Sequence, residues 1–388
     1  MRDAVVVGSV RTPLGKRGGA LSRMHPAQLS SVVLKALSNR VGFDPALVDD
    51  VIWGCVSQVG EQAANIGRYA VLGAGWPEEI PAVTIDRQCG SSQQSVHFAA
   101  AGVMSGQYDV AIAGGVESMS RVPMGSTRVP DLGAPFGPDI ETRYGVRDFN
   151  QGVSADLIAR QWGLTREQLD EFSLESHARA ARAQDEGRFD AEIEAVETLD
   201  AAGNGVTVTA DEGIRRRGTL ESLGKLAPAF GAEGLTTAAS SSQITDGAAA
   251  LLVTTSEVAA RHGWKPMARL HSFAVVGVDP VAMLTGPIPA TAKALKNAGL
   301  ALEDIGVFEV NEAFASVTLA WLSETGASAQ RLNPNGGAIA LGHPLGGSGA
   351  RLMTTMIHEM AAINARWGLQ TMCEGGGMAN ATVLELLD

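Results

Sequence analysis

The second part of this chain repeats the pattern of its first part, and that duplication narrows the folds open to it. Residues 4–7 read as a strand, 26–40 as a helix, 48–53 as a second strand ending at Gly54-Cys55, and 83–86 as a third. A helix follows Cys89, and 109–113 is a fourth strand running into Gly114-Gly115. From Met267 the order recurs. Residues 268–276 form a strand, 290–298 a helix and 305–310 a strand; a Gly/Ser-rich junction then opens a helix over 350–362, and a strand over 368–372 runs into Cys373-Glu374-Gly375-Gly376-Gly377. Leu302-Glu303-Asp304 before one strand echoes Leu47-Val48-Asp49-Asp50 before its counterpart. Strands alternating with helices at this spacing imply an α/β fold of βαβ units on a mainly parallel sheet. Two copies packed about a pseudo-two-fold axis bring equivalent junctions to one shared site.

Chemistry-bearing residues fall at those junctions. Cys89, in Asp86-Arg87-Gln88-Cys89-Gly90-Ser91-Ser92, lies where a strand hands over to a helix. Free N–H groups and the positive helix end there favour a thiolate, although a lone cysteine also serves as a small buried hydrophobe. The duplication sets His343, in Gly342-His343-Pro344-Leu345-Gly346-Gly347-Ser348-Gly349, at the equivalent junction. Asn311-Glu312-Ala313-Phe314 falls where Cys55 falls in the first copy, and Cys373 ends a strand matching 110–115. Strand ends are where open α/β sheets hold ligands. A cysteine beside a histidine base suits covalent acyl transfer, whose tetrahedral intermediate needs donors aimed at its oxyanion. Asn311 and the Gly375-Gly376-Gly377 backbone are candidates, and Cys373 suits proton transfer at an acyl α-carbon. Blander roles exist for each: a turn histidine, an N-cap for a helix over 312–320, a small residue in a glycine turn. Cys55 continues a core strand and reads as buried, and His25, His97, His177, His262, His271 and His358 read as structural.

Composition bounds the partners. The chain has 388 residues, 45% hydrophobic and 19% charged, with 46 glycines, enough for a large core in two or three domains with many tight turns. A net charge of -12 argues against nucleic acid or an anionic membrane as the main partner. An anionic ligand needs a local basic cluster, and Arg215-Arg216-Arg217 is one. No stretch is apolar enough to span a membrane. Three cysteines without metal or disulfide spacing, and no leader-like start, point to a reducing, soluble, cytoplasmic setting and to no metal site. Residues 121–145 form a Gly/Pro/Arg/Asp-rich loop. Thr165-Arg166-Glu167-Gln168 is a capping box opening a long helix that stops near Gly187. Val206-Thr207-Val208 is strand-like. Residues 119–245 therefore read as an insertion into the first unit.

These stretches resemble the thiolase family of acetyl-CoA acetyltransferases and 3-ketoacyl-CoA thiolases. The matching segments are Cys89-Gly90-Ser91-Ser92, Gly114-Gly115-Val116-Glu117-Ser118-Met119-Ser120, Asn311-Glu312-Ala313-Phe314-Ala315, Asn335-Gly336-Gly337-Ala338-Ile339-Ala340-Leu341-Gly342-His343-Pro344 and Cys373-Glu374-Gly375-Gly376-Gly377. The resemblance implies a layered α/β/α/β/α thiolase fold, with halves 1–118 plus 246–266 and 267–388, and an inserted CoA-binding loop domain over 119–245. It implies Cys89 as the acylated nucleophile, His343 as its base and Cys373 as the acid/base at the α-carbon. His343 with a water held by Asn311 would form one oxyanion hole, and the Cys89 and Gly375 N–H groups the other. Arg215, Ser222 and Ser242 stand at CoA-contact positions. No cofactor is held permanently; acyl-CoA and CoA are substrates, and a homodimer or homotetramer is expected, the 121–145 loop supplying any extra contact. Asn150-Gln151-Gly152 and Ala239-Ser240-Ser241-Ser242-Gln243 depart from biosynthetic members and suggest a degradative, actinobacterial type acting on fatty or steroid-derived acyl chains. The alternative is condensation of two acetyl-CoA. A ketosynthase would carry a histidine at Asn311 and no cysteine at Cys373, and a silent lipid carrier would need no intact constellation.

Overall fold

The computed structural model describes residues 2–200 and 202–387. Its strands are β1 (Val5–Arg11), β2 (Gly15–Lys16), β3 (Asp50–Gly54), β4 (Ala82–Ile85), β5 (Val110–Ser118), β6 (Val196–Leu199), β7 (Gly205–Val208), β8 (Thr245–Thr254), β9 (Ala268–Gly277), β10 (Val307–Val310), β11 (Trp367–Glu374) and β12 (Met378–Leu386). Its helices are α1 (Pro26–Val41), α2 (Ile66–Gly73), α3 (Ser91–Ser105), α4 (Pro138–Tyr144), α5 (Gln151–Gln161), α6 (Arg166–Asp185), α7 (Leu220–Gly224), α8 (Ser256–His262), α9 (Pro287–Ala298), α10 (Ala315–Thr325) and α11 (Ser348–Ile363).

A 10-stranded sheet runs β10-β11-β12-β9-β1-β8-β5-β3-β4, with β2 on β8. The duplication is legible in that order. β4-β3-β5-β8-β1 is one copy and β10-β11-β12-β9 the other. Where the first has β4 beside β3, the second has one bridge, Phe308 to Leu332, beside β10. The copies join at Val5 with Arg269 and Val6 with Ala268.

The sheet is mixed, which corrects the expectation of a mainly parallel one. β3–β4, β3–β5 and β10–β11 are parallel. β1–β8, β1–β9, β5–β8, β11–β12 and β9–β12 are antiparallel. The parallel pairs β3–β4 and β10–β11 are joined through helices, as crossover connections require. β12 instead turns straight back on β11 through Gly375-Gly376-Gly377, and a hairpin can only pair antiparallel.

Side-chain alternation builds the layers. In β8, Ala248, Ala250 and Leu252 pack with α1 and α2, while Ala249, Leu251 and Val253 pack with α3 and α11. That second cluster also takes Leu270 and Val307 from the other copy, so α3 and α11 lie between the two half-sheets. Ala381 and Val383 of β12 face Ala290, Ala294 and Trp321 of α9 and α10. The result is α/β/α/β/α.

The two central helices touch at their first turns. A Cβ on Gly349 would collide with the backbone N of Gln93 and lie 2.9 Å from its Cα. Ala350 N donates to Ser92 Oγ at 2.9 Å. Cys89 stands two residues before α3 and His343 five before α11, so this close crossing brings the two junctions together.

Between β5 and β8 the chain leaves the sheet for α4 to α7 and the β6–β7 hairpin. Arg11, fully buried, ties it back: Nε donates to Glu192 at 2.6 Å and the guanidinium grips both oxygens of Asp211 at 2.8 and 2.9 Å. The 121–145 loop is not wholly irregular, since it holds α4 and a 3-10 turn at Pro130–Leu132. The Thr165/Gln168 capping box opens α6 as expected.

Candidate active site

Cys89 is presented by a strained turn. Gln88 has φ 49°, a left-handed conformation uncommon outside glycine. Asp86 holds it there: Oδ1 accepts from the Gln88 N–H at 2.6 Å and from its side-chain amide at 3.2 Å. Ser91 Oγ closes the turn, accepting from Arg87 N at 2.9 Å and donating to Gln88 O at 2.6 Å. The thiol is buried. Burial, followed by the charge of Glu374, pushes it up to about 12, although its own backbone N–H and a hydrogen bond from the Gln151 side chain pull the other way. Position at a helix start therefore does not make a resting thiolate; desolvation outweighs the helix end, contrary to the sequence expectation.

His343 comes from the turn before α11. Its N–H donates to Thr245 Oγ1 at 2.6 Å and to Gln243 O at 3.1 Å, which locks the turn to β8. Ser348 donates its one hydroxyl proton to Pro344 O at 2.8 Å, so it accepts from His343 Nδ1–H at 2.6 Å. Nε2 is then the unprotonated nitrogen. It lies 3.4 Å from Asn311 Nδ2. Burial, with the nearby Arg351 charge, lowers His343 to about 3, so the resting imidazole is neutral.

Asn311 follows β10 directly, its N–H donating to Thr371 O at 3.1 Å. Below it, Asn333 clamps the strand end by bonding both Val310 N and Val310 O at 2.9 Å. Asn311 is not a helix cap: α10 starts only at Ala315, capped at Phe314. Its Oδ1 is buried and has no hydrogen-bond partner among the described residues.

Cys373 is the next-to-last residue of β11 and is fully buried, against Met283, Leu284 and Phe314. Burial raises its thiol far above the ordinary range, and the Cys89 charge adds to the rise, so the two sulfurs share one electrostatic environment. Gly375 lies against two side-chain amides: a Cβ there would lie 2.8 Å from Gln88 Oε1 and 3.3 Å from Gln151 Nε2. Gly376 and Gly377 have φ 83° and 78°, as the tight turn needs. Glu117 staples the two junctions, accepting from Val56 N, Ser57 N and Gln62 Nε2 in one copy and from Gly346 N in the other.

The remaining expected residues divide. Ser242 sits beside the Asn311 segment, its N–H donating to Ala313 O at 2.9 Å. Arg215 and Ser222 lie on the exposed chain between β7 and β8. Arg215 N donates to His177 Nδ1 at 3.1 Å, and Ser222 is the N3 partner of Thr219, the N-cap of α7, donating its N–H to Thr219 Oγ1. Arg216 pairs with Asp185 at 2.8 Å. Ser348, Thr245, Glu117 and Gln151 were assigned no role from the sequence. Glu117 lies in the Gly114–Ser120 segment, Gln151 in Asn150-Gln151-Gly152 and Ser348 in the junction that opens α11, but no spacing rule there gives any of them a role. Among the described residues no His/Cys/Asp/Glu group is placed to hold a metal, and no helix is long and apolar enough to cross a membrane.

Comparison with known proteins gives the family. Residues 4–257 match the model of the thiolase N-terminal domain and residues 264–386 that of the thiolase C-terminal domain. A steroid 3-ketoacyl-CoA thiolase of Mycobacterium tuberculosis is 49% identical over 395 residues, covering 100% of this chain and 95% of its own length. 3-Ketoacyl-CoA thiolases of Erwinia tasmaniensis and Shewanella loihica are each 45% identical over 391 residues, covering 99% of this chain and 100% of theirs. With a duplicated layered core, two buried thiols and a histidine at its junctions, and both domain models matched, the chain belongs to the thiolase family.

Proposed function

We propose that the protein is a degradative 3-ketoacyl-CoA thiolase (acetyl-CoA C-acyltransferase), cleaving 3-ketoacyl-CoA with CoA to acetyl-CoA and a shortened acyl-CoA. The observation that carries the reading is the buried, neutral set Cys89–His343–Cys373, with His343 Nε2 left as the available base by Ser348. The named activities of the relatives support cleavage over acetyl-CoA condensation.

In this reading His343 takes the Cys89 proton as the sulfur attacks the 3-keto carbon. A thiol at about 12 and an imidazole at about 3 make proton transfer costly before attack, so in this reading the two occur together. His343 and a water on Asn311 serve one oxyanion, and the N–H groups of Cys89 and Gly375 the other. The C2–C3 bond breaks, leaving the acyl group on Cys89 and an acetyl-CoA enolate. Cys373 gives its proton to C2, then recovers one from the His343 imidazolium. His343 next takes the proton of incoming CoA, whose thiolate attacks the thioester; Cys89 departs and regains its proton from His343.

Residues 119–245 are the CoA-binding insertion, with Arg215, Ser222 and Ser242 as contacts. Met283, Leu284 and Phe314 line the acyl side near Cys373, and Gln151 makes its entrance polar. The edge strand β4 exposes Val83, with Tyr69 and Leu72 on α2 and Phe98 on α3 also exposed, and an apolar edge of this kind suits a homodimer. The three cysteines are unpaired, as a reducing cytoplasm keeps them.

Mass spectrometry after acyl-CoA treatment tests the chemistry. An acyl adduct is expected on the peptide holding Cys89 and none in Cys89→Ala. Cys373→Ala should still acylate at Cys89 while losing carbon–carbon cleavage; normal cleavage by that variant removes the acid/base assignment. Turnover on acetoacetyl-CoA against longer and branched 3-ketoacyl-CoAs separates degradation from condensation.

A further inference from the structure

Glu374, the residue after Cys373, has no part in that cycle. Alternation along β11 sends Cys373 to the acyl side and Glu374 to the opposite face, beneath the Cys89 turn. A Cβ on Gly90 would collide with Glu374 Oε1 and lie 2.7 Å from Asn380 Nδ2. Asn380 Nδ2 donates to Gly90 O at 3.1 Å. Glu374 and Asn380 thus press on the residue that follows the nucleophile. The carboxyl is fully buried, and neither of its oxygens has a hydrogen-bond partner among the described residues.

We propose that Glu374 is a further positioning residue for the nucleophile: a protonated carboxyl wedged against Gly90 and Asn380 while Cys89 reacts, whose ionisation opposes the Cys89 thiolate. The proposal rests on Cys89 being the nucleophile. A carboxylate without protein donors at this depth is unfavourable. Burial lifts Glu374 to about 8, Arg87 pulls it back and Asp86 adds to the rise. The facing groups are few. The turn contributes Asp86, Arg87 and Cys89, and β11 contributes Cys373; β12 offers only the uncharged Met378 and Asn380. Arg87 Nη1 points at Met378 Sδ, 3.8 Å away, rather than at the carboxyl. Glu374 is also the foremost charge raising Cys89, so the two groups resist being negative together.

The test follows alkylation of Cys89 by iodoacetamide on its own peptide, from pH 6 to 10, in the full-length protein and in Glu374→Gln. The rates should agree within about twofold at pH 6.5, and the variant should be about fivefold faster or more at pH 9.5. Coincident profiles overturn the proposal, as does a folded variant slowed more than about tenfold at pH 6.5, which would mean that the charge is needed. If Glu374→Gln does not fold, the wild-type profile decides. Its rise of about tenfold per pH unit should become shallower above pH 8, and an unbroken rise counts against Glu374. Absence of a Cys89 acyl adduct at any pH removes the nucleophile reading and this proposal with it; an adduct with coincident profiles removes this proposal alone.

Discussion

Two contacts give the nitrogens of His343 different partners. Ser348 receives Nδ1–H at 2.6 Å, and Nε2 faces Asn311 at 3.4 Å. Ser348→Ala removes the acceptor that selects this tautomer. The loss of one such bond, about 1–1.5 kcal/mol, should lower kcat about tenfold with KM little changed. Steady-state kinetics checks it, and a change confined to KM would count against a tautomer role. Cys89, His343, Cys373 and Asn311 were legible because each stands at a glycine-rich or strand-end junction. Ser348 was in plain view but silent, since no spacing rule says that a hydroxyl five residues on folds back to a ring nitrogen. The charge state was misjudged for a different reason. The helix end is visible in sequence, whereas the depth of burial that overrides it is a tertiary quantity.

At the scale of elements, the convergence depends on how closely α3 and α11 cross. Gly349 has no room for a Cβ against the Gln93 backbone, and backbone cannot swing aside as a flexible side chain can. Gly349→Ala should therefore force the first turns apart, costing about 1–3 kcal/mol. It should also reduce Cys89 acylation, because both junctions ride on these helices. Urea unfolding and the acylation assay measure the two effects; unchanged stability would mean that the crossing relaxes freely. The duplication itself was legible from strand and helix spacing. Strand direction was not. β12 follows three glycines with little alternation to mark it, and α5, which carries Gln151, lacks a strong apolar stripe. The β11–β12 hairpin is what sets β11, β12 and β9 antiparallel to one another in turn.

For the whole molecule, buried titrating groups shape stability against pH, and their signs oppose. His97 and His343 are lowered to about 3 and His177 to about 4, each chiefly by burial. Unfolding lets them take up protons below about 6.5, so each removes about 1.4 kcal/mol per unit as pH falls through the window down to its folded value. Glu309 and Glu374 are raised to about 8, again chiefly by burial. They hold protons when folded and release them on unfolding above about 4.5, so each removes stability as pH rises from there to about 8. Between about 4.5 and 6.5 the two sets offset one another. Below that range the carboxyls stop opposing and the histidines dominate; above it the histidines are neutral in both states and the carboxyls dominate. Self-repulsion from a net charge of -12 acts in the same direction on the alkaline side. Urea unfolding across pH 3.5–9 should show a plateau near pH 5–6.5 with decline on both sides, the alkaline decline starting below pH 7. Glu309→Gln and Glu374→Gln should each flatten that decline, and stability that climbs steadily from pH 6.5 to 8 would mean that these carboxyls are already ionised in the folded protein.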